Sequence, residues 1–461
     1  MPPAELGPDP HARGPLAKAR AYATAGFSVL PQVLGAQWLP PAALQALVTR
    51  RLRALVRDAS ASSPYYRDAL ASVAGRIDRL SLDDLREVPL LDKAALRDHE
   101  DRLLTRSRDG LMARRSSGSS GVPVTAYFDP LRELPRRLQE LRFLTAHGFR
   151  PWHSQLILDA PSHLAPRPFA LQRAGLWRRE ALPAGFDGAA TVAWVRERQL
   201  DFLGGVLSGV KLLATLAERA GGLGYQPRGI LTKGELLDPS TRWFLERTFS
   251  APVIDYYAIE EVGIIAWQCP AGSGYHVDAD LVWLEVLADD GSPALPGEVG
   301  ELVVTNLYQR AMPMIRFRTG DLGILDPEPC RCGRGLPVLR ELHGRRIDCI
   351  RTPDGVVHDP FRVISVMEAH PELRWFRFRQ TEQDALTVEL SHDPDLDDAA
   401  RAAASAAVLA ELGERLGPTM RLELIEVNEP DLRAGSKNPI VIGLPSLTLD
   451  ALAESDDHLR L

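Results

Sequence analysis

Residues 116 to 121 read Ser116, Ser117, Gly118, Ser119, Ser120 and Gly121. Four short hydroxyl side chains and two glycines bury little and do not sustain a helix, but they let backbone N–H groups and hydroxyls converge on an anion. The segment is a candidate phosphate loop, with a plain flexible turn as the alternative. A second chemical grouping comes from sulfur. The chain has four cysteines, at 269, 330, 332 and 349, and the first three combine with His276 into the spacing C-x6-H followed far downstream by C-x-C. Three thiolates and one imidazole complete a closed tetrahedral zinc site of the structural kind. The alternative is that His276 lies on a strand edge and that Cys269, Cys330 and Cys332 are small buried hydrophobes. Cys349 reads as an ordinary thiol.

The elements that must position these groups are set by a chain of 461 residues with 45% hydrophobic content, enough for two or three lobes with large cores. Its 54 basic and 61 acidic residues give a net charge of −7 with no long block of one sign. That balance argues against an extended nucleic-acid surface and for a small-molecule partner. The Pro- and Ala-rich start lacks the basic-then-apolar order of a secretion signal, and no stretch reaches the length of a membrane span, so a cytoplasmic protein without membrane partners is expected.

Pro41 to Leu70 and Leu82 to Arg106 carry apolar residues at helical spacing, which predicts a mainly helical front after a disordered 1–15 segment. From about residue 153 short apolar runs take over, at Leu156 to Leu158, Phe202 to Val206, Gly229 to Thr232 and Val253 to Tyr256. Helical stretches at Gly209 to Gly221 and Pro239 to Phe249 separate them, as in a parallel, helix-covered sheet. Leu281 to Leu287, Glu301 to Leu307 and Met314 to Arg318 lie closer together and predict antiparallel β structure. From Cys349 on, strands at Arg374 to Arg379, Leu386 to Leu390 and Arg421 to Val427 surround a helix over Asp398 to Leu416. The expected fold class is therefore α/β, with a large domain over 16–347 and a small α+β domain over 348–461.

Five segments then line up in order. They are the 116–121 loop, Asp255-Tyr256-Tyr257-Ala258-Ile259-Glu260-Glu261-Val262-Gly263, Arg316-Phe317-Arg318-Thr319-Gly320-Asp321, Gly344-Arg345-Arg346-Ile347-Asp348 and Gly435-Ser436-Lys437. Together they resemble the adenylate-forming superfamily of acyl and aryl ligases. Ser63-Pro64-Tyr65-Tyr66-Arg67 and Met312-Pro313-Met314-Ile315-Arg316 look like its phenylacetate–CoA ligase branch.

The resemblance implies a large domain and a small mobile one that jointly activate a carboxylic acid with Mg-ATP and pass the acyl group to coenzyme A. It implies that Ser116 to Gly121 cradle the phosphates and that Tyr256 and Tyr257 lie against the nucleotide, with Tyr257 stacked on adenine. Asp321 accepts hydrogen bonds from the ribose hydroxyls in such enzymes, Glu261 positions Mg2+, and Gly234-Glu235 falls where the family contacts adenine. Arg345 would touch ribose or phosphate, Asp348 would be the hinge, and Lys437 would reach the reacting oxygens during adenylation. Turn-capping for Asp321 and a solvated strand end for the Tyr-Tyr and Glu-Glu pairs are the alternatives.

Three positions depart from the family pattern: Val122 replaces a lysine, Ala258 a glycine, and Glu260 a hydroxyl residue that touches the α-phosphate. A second carboxylate there must bind metal, turn away or meet a cationic group. An amine or a carrier-protein thiol therefore stays open as acceptor, as does a nucleotide-binding protein that has lost turnover. The acid pocket is sought around Trp267, Trp152 to Ala160 and Phe202 to Gly209, and a homodimer remains an open assembly.

Overall fold

Pro41 opens the first long helix, Pro41–Ser62, because its fixed φ and missing N–H suit a helix start. Leu44, Val48, Leu52, Leu55 and Ala59 recur on one side of it and are buried. The helix stops at Ser63, which Pro64 holds extended (φ −97°, ψ 123°), and the Ser63 side chain accepts the Tyr66 N–H to cap the next helix, Pro64–Ala69. The structure is a computed structural model. It describes residues 29–444 apart from 116–123, 131–133, 160–171, 173, 184–187, 273, 327, 346–348, 359–362, 365, 368, 371, 394 and 428–440.

The expected helix over Leu82 to Arg106 is broken into a 3-10 turn, Asp83–Glu87, and two short helices, Lys93–Asp98 and Glu100–Leu103. Pro89 interrupts the helical run. Leu91 is drawn into strand-like pairing, its N–H donating to the Arg316 carbonyl and its own carbonyl accepting the Arg318 N–H.

The chain divides into two compact units, one of residues 1–148 with 256–341 and one of residues 149–255 with 342–461. In the first, neighbouring strands run in the order Val282–Leu287, Gly300–Asn306, Phe317–Asp326, the earlier part of Val338–Arg345, Tyr275–Val277, Gly263–Gln268 and the later part of Val253–Ile259, and within the first three and within the last four the neighbours are antiparallel. The expected strand over Met314 to Arg318 is corrected here. The strand starts at Phe317, and Arg316 before it has φ 50°, a left-handed turn that no strand accommodates.

In the second unit Gly229–Lys233, Phe202–Val206, Ser154–Asp159 and Arg178–Pro183 are parallel neighbours in that order. Helices Leu207–Arg219 and Pro239–Phe249 share one core with these strands, in which Leu156, Leu158, Leu203 and Ile230 meet Val210, Leu213 and Leu245. The Arg178–Pro183 strand and the helix Gly188–Arg198 add to the expected elements; the strand is half polar and gives no apolar run to read. A separate four-stranded sheet, ordered Arg421–Glu426, Ala385–His392, Leu373–Glu382 and Val441–Ile442, packs Phe378, Leu386 and Val388 against Val408 and Leu412 of the helix Asp398–Leu416. The mixed α/β class with an α+β C-terminal section is thus borne out. Among the described residues no helix is long and apolar enough to cross a membrane.

Candidate active site

In the first unit, Val253–Ile259 and Gly263–Gln268 form a hairpin whose turn is Glu260-Glu261-Val262. Gly263 leaves that turn with φ 99°, and a side chain there would press on Arg136 (3.1 Å to Cδ). The turn is pinned through the Val262 carbonyl, which accepts both Asn306 Nδ2 (3.0 Å) and the Tyr308 hydroxyl (3.2 Å). Asn306 Oδ1 in turn accepts the backbone N–H groups of Tyr308 (3.0 Å) and Gln309 (2.9 Å). Sequence reasoning missed Asn306 and Tyr308, which close the apolar run Glu301 to Leu307 and carry no motif.

The consequence is a rigidly placed acid. Glu261 is 4% exposed, and its Oε1 has no hydrogen-bond partner among the described residues. A buried carboxylate oxygen left unpaired is costly, and a cation is the partner that would satisfy it. Glu261 thus fits a hard divalent ion with oxygen ligands, while Glu260 beside it is partly exposed.

Asp321 sits in a bulge. Glu301 pairs with Leu322 and Val303 with Arg318, so Thr319, Gly320 and Asp321 together oppose Leu302 alone. Thr319 anchors the bulge by donating to the Leu302 carbonyl (2.8 Å) and accepting the Asp321 N–H (3.0 Å). The structure brings Asp321 to Tyr257, whose hydroxyl donates to Oδ2 at 2.6 Å, with both side chains buried. Tyr256 points the other way and stacks on Phe143 with 4.9 Å between ring centroids.

In the second unit Gly234 has φ 83°, and Glu235 accepts the Ser208 N–H (2.6 Å) at the first turn of Leu207–Arg219. Leu236 continues that loop onto the small-sheet core. Arg345 ends the Val338–Arg345 strand, and its carbonyl faces the Cys349 thiol at 3.8 Å. Ser116, Ser117, Gly118, Ser119, Ser120, Gly121, Val122, Asp348, Gly435, Ser436, Lys437 and the 1–15 segment lie outside the described residues.

Cys269, His276, Cys330 and Cys332 converge, with all four ligand atoms within 4.8 Å of one another. A tetrahedron with Zn–S bonds of about 2.3 Å spaces its sulfurs about 3.8 Å apart. Cys269 and Cys330 sulfurs are 3.5 Å apart, and His276 Nε2 is 3.1 Å from Cys332 Sγ. Gly333, with φ 82°, turns the chain so that its N–H reaches the Cys330 carbonyl. The donors around the thiols are those a thiolate needs: the Ala271 N–H on Cys269 Sγ (3.3 Å) and Arg334 Nη1 on Cys332 Sγ (3.4 Å).

Burial alone would raise the Cys332 thiol, but the Arg334 backbone and guanidinium and the neighbouring thiols outweigh it and hold the pKa below the usual value. Burial, with Arg334 nearby, pushes His276 down to about 4, which keeps its imidazole neutral and able to ligate. This chemistry fits zinc.

Trp267, sought as part of the acid pocket, packs beside the cysteine cluster. It is fully buried, 5.1 Å from the His276 ring, and donates to Asp278 Oδ1 at 3.0 Å. Asp278 and Asp280 hold the buried Arg142 at 2.5 and 2.8 Å. Arg142 also reaches the Val33 carbonyl and Arg51 the Asp280 carbonyl, so the strand carrying His276 is tied to the helical front by a fully enclosed charge group.

The first unit thus holds a hairpin glutamate with an oxygen left unpaired among the described residues and an aspartate on a bulge oriented by a tyrosine. No family model matches the chain. It is 30% identical over 356 residues to the phenylacetate–coenzyme A ligase of Thermus thermophilus, covering 73% of this chain and 77% of that protein. It is 28% identical over 311 residues to the phenylacetate–coenzyme A ligase of Escherichia coli K12, covering 63% and 69%. The chain therefore belongs to the phenylacetate–coenzyme A ligase family. Among solved structures, 2-hydroxyisobutyryl-CoA ligase in its postadenylation state, in complex with R3-HIB-AMP, superposes with a TM-score of 0.74 at 19% identity, covering 91% of this chain and 94% of that one. At that identity the likeness speaks for the fold.

Proposed function

We propose that this protein activates a carboxylic acid, aryl or aryl-alkyl by the nature of its relatives, with Mg-ATP and transfers the acyl group to coenzyme A. The carboxylate oxygen attacks the α-phosphorus, the bond to the bridging oxygen breaks, and pyrophosphate leaves. The CoA thiolate then attacks the acyl carbon and AMP departs. The observation that carries this reading is the buried Glu261 with its unpartnered oxygen, on a turn four residues after the tyrosine that orients Asp321.

In this reading Asp321 binds the ribose hydroxyls, Tyr257 forms the adenine side while Tyr256, turned onto Phe143, supports the strand from behind, and Gly234 and Glu235 contact the base. Ser116 to Gly121 hold the phosphates, Glu261 positions Mg2+, Arg345 touches ribose or phosphate, and Lys437 stabilises the charge that develops on the reacting oxygens. The 348–461 segment forms the small mobile domain, pivoting at Asp348. Zinc at Cys269, His276, Cys330 and Cys332 is structural, since all four ligands come from the protein.

Glu260 favours one further reading: a carboxylate beside the phosphates would suit an amine acceptor better than a hydroxyl does. Trapping decides the acceptor. With ATP, Mg2+ and a panel of acids, hydroxylamine should capture an acyl hydroxamate. Coenzyme A should compete with that capture more strongly than amines or a carrier-protein thiol, and superior competition by an amine would replace CoA as acceptor.

A further inference from the structure

The segment Met312-Pro313-Met314-Ile315-Arg316 is buried throughout, yet it belongs to no helix or strand. Buried backbone without regular structure must find each of its polar partners singly. Two of them come from one side chain. Tyr66, 1% exposed on the short helix Pro64–Ala69, donates its hydroxyl to the Pro313 carbonyl at 2.8 Å and accepts the Ile315 N–H at 3.1 Å. Burial pushes the phenol pKa up, which keeps the proton that it donates.

The residue between those two bonds is Met314, and its carbonyl accepts the Asn306 N–H at 2.9 Å. Asn306 is the residue whose side chain holds the Val262 carbonyl, and with it the Glu261 turn. The residue after Ile315 is Arg316, whose N–H donates to Thr305 Oγ1 at 3.0 Å. Its φ of 50° is costly for a residue with a side chain and persists only where the surroundings fix it. Here its guanidinium meets Glu285 at 3.0 Å and donates to the Val88 carbonyl at 2.8 Å. From that turn the chain enters Phe317–Asp326, and the Asp321 bulge follows. All of these residues lie in the first unit.

The Tyr66 hydroxyl is thus the shared fastening of two chains of contact, one leading to Glu261 and one to Asp321. Packing does not require it, since phenylalanine would fill the same space with the same ring. What it adds is direction, because an acceptor and a donor on residues two apart fix how the segment is turned.

We propose that Tyr66 is a positioning residue for the two carboxylates of the nucleotide site, setting Glu261 through Met314 and Asn306, and Asp321 through Ile315 and Arg316. Tyr66 acts through these residues and not on the reacting atoms. The inference rests on the reading above, in which Glu261 meets Mg2+ and Asp321 the ribose.

The test is Tyr66→Phe, which removes both bonds and leaves the ring. KM for ATP and the Mg2+ concentration for half-maximal pyrophosphate release should both rise about tenfold, as losses of outer supporting contacts do, while kcat at saturating Mg-ATP and KM for the acid stay within about twofold. Leu55→Ala removes packing and no hydrogen bond from the same helical front; it should lower the urea midpoint and leave both constants in place. A Tyr66→Phe enzyme that keeps either constant unchanged overturns the inference, as does a Leu55→Ala enzyme in which both rise.

Amide hydrogen exchange needs no turnover. In Tyr66→Phe without ligands, exchange should quicken at Glu261 to Gly263 and at Thr319 to Asp321. Quickening confined to 312–316, or spread evenly over the first unit, refutes the role. If the unaltered protein binds no Mg-ATP, the ligase reading itself fails, and the exchange result alone decides whether Tyr66 positions the two acids.

Discussion

The Tyr257 hydroxyl donates to Asp321 Oδ2 at 2.6 Å, joining a strand that leads into the Glu261 turn to a bulge on a strand more than sixty residues later. Each residue fixes the other. The tyrosine sets the carboxylate's rotation, and the carboxylate holds the ring against its own strand.

If Asp321 meets the ribose, its rotation should set ATP affinity. A hydrogen bond to a charged group is worth about 1.5–3 kcal/mol, so Tyr257→Phe should raise KM for ATP about tenfold or more. Asp321→Asn should raise it further. Unchanged KM in both variants would remove these residues from the nucleotide site.

Glu261 predicts opposite signs for stability and activity. Glu261→Gln removes a buried charge with an unpartnered oxygen, so in metal-free buffer the melting temperature should hold or rise. The Mg2+ concentration needed for half-maximal activity should climb about tenfold or more. A fall in melting temperature with no change in Mg2+ dependence would contradict the assignment.

Asn306 acts on the same turn by positioning it. Asn306→Ala leaves the Val262 carbonyl with the Tyr308 hydroxyl alone and strands the Tyr308 and Gln309 N–H groups, and at about 1–3 kcal/mol per unsatisfied group it should be among the more destabilising single changes. Urea unfolding measures the loss. A midpoint within error of the unaltered protein would show that water replaces these bonds.

The cysteine cluster predicts one zinc per chain by elemental analysis, and a lower melting temperature after chelation. Arg334 touches Cys332 Sγ and lies over the rings of Trp38 (4.6 Å) and Trp267 (5.3 Å). Arg334→Ala should therefore weaken zinc binding about 10–100-fold, as losses of a ligand's supporting contact do. Zinc-free protein with an unchanged melting temperature on added zinc would make the four residues ordinary core.

Lys437→Ala should abolish adenylation yet leave acyl transfer from a supplied adenylate. Equal loss in both half-reactions would refute the division of labour.

Legibility in the sequence followed locality. The helix Pro239–Phe249 and the helix Asp398–Leu416 were readable to the residue, because Asp238 and Asp397 cap them and apolar residues repeat at helical spacing. The cysteine cluster was readable because thiols are scarce in this chain, and the C-x-C pair at Cys330 and Cys332 brings two soft ligands together without help from the fold. Leu91 was not, since its pairing with the backbone of Arg316 and Arg318 is set by partners more than two hundred residues away. Asn306 and Arg142 were invisible for the same reason: a single polar residue reveals its role only when its distant acceptors, Val262 for one and Asp278 and Asp280 for the other, are seen.

The most direct test of the central claim is acid-dependent release of pyrophosphate from Mg-ATP across a panel of aryl and aryl-alkyl acids. At least one acid should stimulate release, with AMP formed in equal amount and both reduced in Asp321→Asn at ATP concentrations below its raised KM. Release that no acid stimulates, or ADP and phosphate in place of AMP and pyrophosphate, would contradict it.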